Sequence, residues 1–531
     1  MKNKKYSLKI MNREIPEGSY LSKNGYVIKK SSISEDELRF LKTELRARPL
    51  QDEKYGKSNQ DQTYPIYTET KNKLYIPKMY GIKRYGDPKR CLPNYRGQTW
   101  ETNLEFDGTL YDNQIEPVNA LMLACQNIGG GILNCSTGVG KTLMTINVIS
   151  KLKIKTIVIV NKISLMHQWH SELRRFIPGI QVGFIQGQKN IDVEDKHVVI
   201  AMLQSLARVD YPDSLFQDIG LTVIDEIHNT PSRGFSKVLG KLCSQYTIGL
   251  SATPKRSDGC EYVFQYHIGD IVYQSQVKRN GLKPILNMIT IDSSEYKEIM
   301  SESKMTGQSQ IQFTSMLTDL IQMPKRNRLI LEIVKDLVVR EGRKILVLSD
   351  RREHLKSLKR LLDDDLHSTF TYGLFLGQMK QTDLERSRAS QVILATFSAF
   401  GEGVSEKDLD TLILTTPKKF VGHLKKSIKN ENGKLEQIVG RIFRKDHTEK
   451  HPMIIDLHDN FSVYKIQSAQ RRTFYKGHFT TSILENKKIN LDDYDINEID
   501  INCIQRTRKS EIIKHTDIND NIDLNNCIIE D

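Results

Sequence analysis

Nowhere in the 531 residues is there a run of 18 apolar side chains, so no segment has the length and hydrophobicity of a membrane-spanning helix. The opening stretch, MKNKKYSLKI, is basic but has no apolar core, which argues against a secretory signal. Cysteine is sparse. The seven (91, 125, 135, 243, 260, 503 and 527) include no C-x-x-C pair, which excludes a recognisable zinc or disulfide framework and suits a reducing, cytoplasmic compartment. No internal repeat of fixed short period occurs either.

Present instead is positive charge, unevenly distributed. The formal charge is +13, yet residues 1–100 hold 22 basic and 11 acidic side chains, while residues 485–531 hold 6 and 12. A basic excess suits an anionic partner or a lysine-rich compositional bias, and it says nothing about fold.

In the middle of the chain, short β-branched runs alternate with helix-length segments. Candidate strands are 132–134, Thr156–Val160, Val198–Met202, 221–224 and 246–250, then 344–348, Val392–Thr396, 411–415 and 453–456. Such alternation implies parallel sheets covered by helices on both faces. The expected architecture is α/β: a basic accessory region over 1–98, one parallel-sheet lobe over 99–275, a polar connector over 276–325, a second lobe over 326–480, and an acidic tail over 481–531. Tyrosines 64, 67, 75, 80 and 85, with Lys83 and Arg84, form either a binding platform or a small core.

The first chemical signal is Cys135-Ser136-Thr137-Gly138-Val139-Gly140-Lys141-Thr142, between a short strand and a helical run. A phosphate-binding loop needs this setting, because it wraps a polyphosphate with backbone N–H groups at a helix N-terminus. Gly138 and Gly140 permit close backbone approach, Lys141 reaches the β- and γ-phosphates, and the Thr142 hydroxyl ligates Mg²⁺. Cys135 stands where the simple pattern has its first glycine. The second signal is Asp225-Glu226-Ile227-His228, closing the apolar run 221–224. One carboxylate there can hold the Mg²⁺ shell and the next can orient an attacking water, roles assigned to Asp225 and Glu226.

With their successors, these residues resemble the superfamily 2 helicases. Gly249-Leu-Ser251-Ala-Thr253-Pro-Lys-Arg256-Ser-Asp258-Gly259 is similar to the extended Ser-Ala-Thr motif of the branch holding XPB, UvsW and the transcript-release helicases of poxviruses and other large DNA viruses. Val160-Asn161-Lys162 with Gln168-Trp169, Gln204-Ser205, the run 346–351 ending in Arg351, Ala395-Thr396 through Ser405, and Gln437-x-x-Gly440-Arg441-x-x-Arg444 follow in motif order. Leu110-Tyr111-Asp-Asn-Gln114 resembles the segment that reads adenine. Motif V departs from the pattern: Ser405 stands where the family has Asp, so a ribose contact there is in doubt. The tetrad is DEIH, and the basic stretch 418–434 before motif VI is long, suiting a nucleic-acid loop, a localisation signal or a solvated insertion.

The resemblance implies two RecA-like lobes with ATP and Mg²⁺ as cofactors. Gln114 and residues 136–142 would hold the nucleotide, Glu226 and Arg441 with Arg444 as arginine finger would act in catalysis, and His228, Ser251 and Thr253 would couple hydrolysis to movement. Lys162, Gln204, Ser205, Arg351 and Thr396 would contact the nucleic-acid backbone, giving weak sequence preference and strong salt dependence. The expected function is an ATP-driven DNA helicase or translocase, working 3′→5′ in transcript release or remodelling of branched DNA beside the transcription or replication machinery, and packaged in the virion if viral. An RNA helicase and a non-catalytic nucleic-acid scaffold are the alternatives. A restriction motor is disfavoured, since no nuclease or methyltransferase segment is evident.

Overall fold

A computed structural model describes residues 14–49, 63–136, 138–227, 233–252, 259–275, 282–302, 309–365, 369–400, 406, 408–418, 435, 438–443, 447–479 and 482–493. The chain divides into two compact units, one built mainly from residues 1–277 and the other mainly from residues 278–531. Among the described residues, no helix is long and apolar enough to cross a membrane.

The first unit begins with a small antiparallel sheet in the order Tyr20–Ser22, Gly25–Lys29, Lys73–Ile76, Thr68–Glu69. Helix Glu35–Glu44 is started by the Ser34 hydroxyl, which accepts the Glu37 N–H at 3.2 Å, and three acids in its first turn suit the helix dipole. Tyr26, Ile28, Leu41, Leu74, Ile76 and Tyr80 pack in one cluster with Cys243, Cys260 and Val263 from the neighbouring parallel-sheet layer. The aromatic segment is therefore a core: Tyr64, Tyr80 and Tyr85 are buried. Lys78 seals the junction. Its side chain is fully buried, and its ammonium donates to the carbonyls of Gly129 at 3.2 Å, Ser244 at 3.0 Å and Gln245 at 3.2 Å. Removal of residues 1–95 would uncover this shared core, so the accessory region cannot be cut away without disturbing the lobe behind it.

That lobe is an eight-stranded sheet in the spatial order Asn190–Ile191, Val182–Gln186, Val198–Met202, Thr156–Val160, Leu221–Asp225, Tyr246–Ser251, Gly130–Asn134, Ile271–Gln274. Every pairing is parallel except the short edge strand 190–191. Four central strands are buried at every residue because helices cover both faces, and this is why they read as unbroken apolar runs. Register aligns Asp225 with Leu250 and Ser251 with Asn134. The ends of three adjacent strands thus meet at the carboxyl edge of the sheet, where open α/β sheets bind ligands.

The second unit carries a seven-stranded, wholly parallel sheet in the order Tyr372–Phe375, Val392–Thr396, Ile345–Ser349, Thr411–Leu414, Met453–Asp459, Ile285–Asp292, Ile483–Asn490. Two of these strands fall outside the expected lobe. Ile285–Asp292 lies in the span read as a connector, and Ile483–Asn490 in the span read as the start of the tail. The first was masked by Asn287 and its polar flanks; the second is a half-exposed edge strand whose alternation is broken by charged residues. Residues 494–531 and 419–434 lie outside the described residues, and with them most of the acidic tail and of the basic stretch.

Two buried ion pairs hold the carboxyl edge of this sheet to its helices. Arg326 grips Asp459 with two bonds of 2.7 and 2.9 Å. Arg471 donates to both oxygens of Asp456, which also accepts the Tyr475 hydroxyl at 2.9 Å. Burial alone would raise the Asp456 carboxyl, but the charges of Arg471 and His458 hold it below the usual carboxylate range. Removing one partner leaves a desolvated charge, so Arg471→Leu is expected to cost about 3–5 kcal/mol, seen as an earlier unfolding transition in urea. Arg471→Leu with Asp456→Leu should cost clearly less; a double variant as damaged as the single would contradict this account.

Candidate active site

Strand Gly130–Asn134 delivers the chain into the loop, and helix Lys141–Leu152 takes it out. Gly138 and Gly140 have φ of +90° and +89°, the left-handed region that a side chain resists. At Gly140 a Cβ would also lie 2.4 Å from the Gln114 amide nitrogen, so the Gln114 side chain would have to move. Gln114 itself is buried and makes two contacts. Its amide donates to the Val139 carbonyl at 2.8 Å, and its carbonyl accepts the Tyr111 N–H at 3.1 Å. The residue expected to read the base is thus also a brace under the loop.

The Lys141 ammonium donates to the Cys135 carbonyl at 2.8 Å and reaches the Ser136 carbonyl at 3.4 Å, so it lies across the loop. The Ser136 N–H donates to the Ser275 hydroxyl at 3.2 Å. Thr142 occupies the first turn of the helix with its side chain half-buried. Cys135 is wholly buried and belongs to the hydrophobic core between sheet and helices. The departure from the usual glycine is therefore a core substitution at the strand end, and burial pushes its thiol up rather than activating it.

Asp225 ends strand Leu221–Asp225 with its carboxylate buried. One oxygen accepts the Trp169 indole N–H at 2.9 Å and the other the Glu226 N–H at 3.0 Å. Burial, then the neighbouring charge of Glu226, raises its carboxyl to about 6, against the opposing pull of the Trp169 hydrogen bond and the Lys141 charge. Glu226 turns the chain sharply, with φ of +51°, a conformation that costs a non-glycine residue roughly 1–2 kcal/mol. Strain of this kind persists where the surroundings enforce it, and it recurs at functional sites.

Two adjacent carboxylates, one fully desolvated, suit a hard divalent cation. Among the described residues, no group of three or more His, Cys, Asp or Glu side chains could hold a metal. Mg²⁺ takes one or two protein oxygens and completes its shell with phosphates and water. Asp225 and the Thr142 hydroxyl are the donors that would hold it.

The remaining expected residues sit as follows. Ser251 ends its strand, fully buried, and its carbonyl accepts the Cys135 N–H at 3.1 Å, tying this strand end to the phosphate loop. Lys162 is the N-cap residue of helix Ile163–Phe176. The Gln204 amide donates to the Asn161 carbonyl at 2.8 Å, and the Ser205 hydroxyl accepts the Gly187 N–H at 2.8 Å. In the second unit, the Thr396 hydroxyl accepts the Ala399 N–H at 3.2 Å, and an Arg351 guanidinium nitrogen lies 3.4 Å from the Thr314 carbonyl. Arg441 is buried in the turn Gly440–Phe443. Thr137, His228, Thr253 and Arg444 lie outside the described residues. Trp169 was legible only as part of a motif; its bond to Asp225 had no sequence signal, because the two are 56 residues apart.

Residues 107–256, spanning the loop, both carboxylates and Ser251, match the family model described as "Type III restriction enzyme, res subunit". Over 482 residues the chain is 30% identical to the protein of Acanthamoeba polyphaga mimivirus named "Putative ATP-dependent RNA helicase L396", covering 90% of this chain and 87% of that one. The chain belongs to the superfamily 2 helicases. It is an ATP-dependent helicase, and its partner is nucleic acid. The helicase is also 25% identical to an African swine fever virus protein named "Putative ATP-dependent RNA helicase QP509L", over 65% of this chain and 68% of that one. In fold, the helicase is similar to a solved fragment described as a "putative HsdR subunit of a type I restriction enzyme" from Vibrio vulnificus, with a TM-score of 0.50, 18% identity, and coverage of 73% of this chain and 70% of that one.

Proposed function

We propose that this helicase hydrolyses ATP·Mg²⁺ to move 3′→5′ along DNA, and that its work is transcript release or the remodelling of branched DNA. The observation carrying the catalytic part is the meeting of the Lys141 loop and the Asp225–Glu226 turn at one sheet edge. Lys141 and the loop N–H groups bind the phosphates, Asp225 and Thr142 hold the cation, and Glu226 orients and deprotonates the attacking water. The cation, when bound, neutralises charge that develops on the phosphates. By motif order, Arg441 and Arg444 are the residues assigned to stabilising transition-state charge.

DNA is favoured by the match of residues 107–256 to a restriction-subunit family and by the extended segment Gly249–Gly259. RNA is the second reading, supported by the names of the viral relatives. Contacts from Lys162, Gln204, Ser205, Arg351 and Thr396 would go to the sugar-phosphate backbone, so affinity should depend strongly on salt and little on sequence. Unwinding of 3′-tailed, 5′-tailed and forked DNA duplexes tests the polarity. Activity on 3′-tailed and forked substrates is expected, and equal or greater activity on 5′-tailed ones would overturn it.

A further inference from the structure

The largest fully buried side chain among the described residues is Trp169, on helix Ile163–Phe176. An indole of this size in a core is ordinarily explained by packing, and Trp169 does pack among Met144, Val158, Leu173 and Val223. Packing does not explain where its N–H goes. It donates to Asp225 at 2.9 Å, in full burial. An indole nitrogen can only donate, so it can serve an ionised carboxylate and cannot compete with it for a cation. The other Asp225 oxygen is turned by the Glu226 N–H at 3.0 Å. The carboxylate is thus clamped at both oxygens, one clamp coming from its own chain segment and the other from a different helix.

We propose that Trp169 is a positioning residue that fixes the Asp225 carboxylate in the orientation that receives the nucleotide-bound divalent cation. The inference rests on Asp225 being the cation's protein ligand. The helix carrying Trp169 enters from Asn161 and Lys162, and the Gln204 amide holds the Asn161 carbonyl at 2.8 Å. That fixes the helix at its start, two turns before Trp169, so the indole is aimed by a braced element rather than by a loop. Hydrogen-bond partners of metal ligands contribute roughly 10–100-fold to metal affinity or activity.

The experiment uses the full chain, Mn²⁺ as the metal probe and a non-hydrolysable ATP analogue. Electron paramagnetic resonance titration should show Trp169→Phe weakening Mn²⁺ binding to the analogue complex by about tenfold, with metal-free analogue binding within about twofold of native. Mn²⁺ binding within about twofold of native would overturn the proposal. The chain has two tryptophans, so Trp100→Phe leaves Trp169 as its sole indole reporter. In that background, Mg²⁺ with the analogue should shift the emission of the buried indole, and Asp225→Asn should abolish the shift. This arm decides the matter even if Trp169→Phe fails to fold; an unmoved emission overturns the proposal. Native Mn²⁺ binding by Asp225→Asn would overturn the ligand assignment together with it, whereas defective Asp225→Asn beside native Trp169→Phe overturns the role of Trp169 alone.

Discussion

Glu226→Gln is expected to lower nucleic-acid-stimulated ATP turnover by about 10²–10⁴-fold, the contribution typical of a positioned general base, while ATP binding is retained or slightly tightened. Asp225 and Glu226 leave the same strand end, but the positive φ at Glu226 turns its side chain away from the line of the strand. The two acids therefore point differently, and only Asp225 is clamped by Trp169. Glutamine keeps the size and hydrogen-bonding reach of Glu226 and removes its ability to take a proton. It also removes a negative charge beside the phosphates, which lessens their repulsion. Single-turnover hydrolysis alongside binding of a fluorescent ATP analogue separates the two effects. Turnover within about threefold of native would remove Glu226 from the chemistry.

Lys141→Ala should act differently, with both binding and turnover falling and turnover dropping by at least about 10²-fold, the scale of losing one preorganised charge-stabilising donor. The ammonium lies across the loop mouth on the Cys135 and Ser136 carbonyls, in part-buried bonds that water can replace. Thermal unfolding of the variant should accordingly stay close to native. The contrast between the two variants is the informative result: Glu226→Gln separates binding from hydrolysis, and Lys141→Ala loses both. A non-catalytic scaffold would tolerate either change without loss of biological activity.

What could be read from the amino-acid sequence follows burial. The strands at Thr156–Val160, Val198–Met202 and Leu221–Asp225 are covered on both faces, and their unbroken apolar runs announced them. Val182–Gln186 and Tyr372–Phe375 are covered on one face, so their short alternation was lost among polar neighbours. Ile285–Asp292 was hidden by its setting in a polar stretch, although it lies between two partners within the second sheet. In the site, the phosphate loop and the paired acids were legible because their chemistry demands particular residues at fixed local spacing. The Trp169–Asp225 bond and the brace of Gln114 on Val139 were not, because each depends on how separate elements pack. The burial of Cys135 in the core was likewise beyond the sequence, which showed only that it replaces the first glycine of the pattern.

In the proposed function, DNA drives ATP hydrolysis at the Lys141 loop and the Asp225–Glu226 turn. Steady-state ATPase rates with single-stranded DNA, duplex DNA and single-stranded RNA of matched length, at fixed salt, test it most directly. The account predicts strong stimulation by DNA that weakens as salt rises and disappears in Glu226→Gln. Stimulation by RNA alone would contradict it.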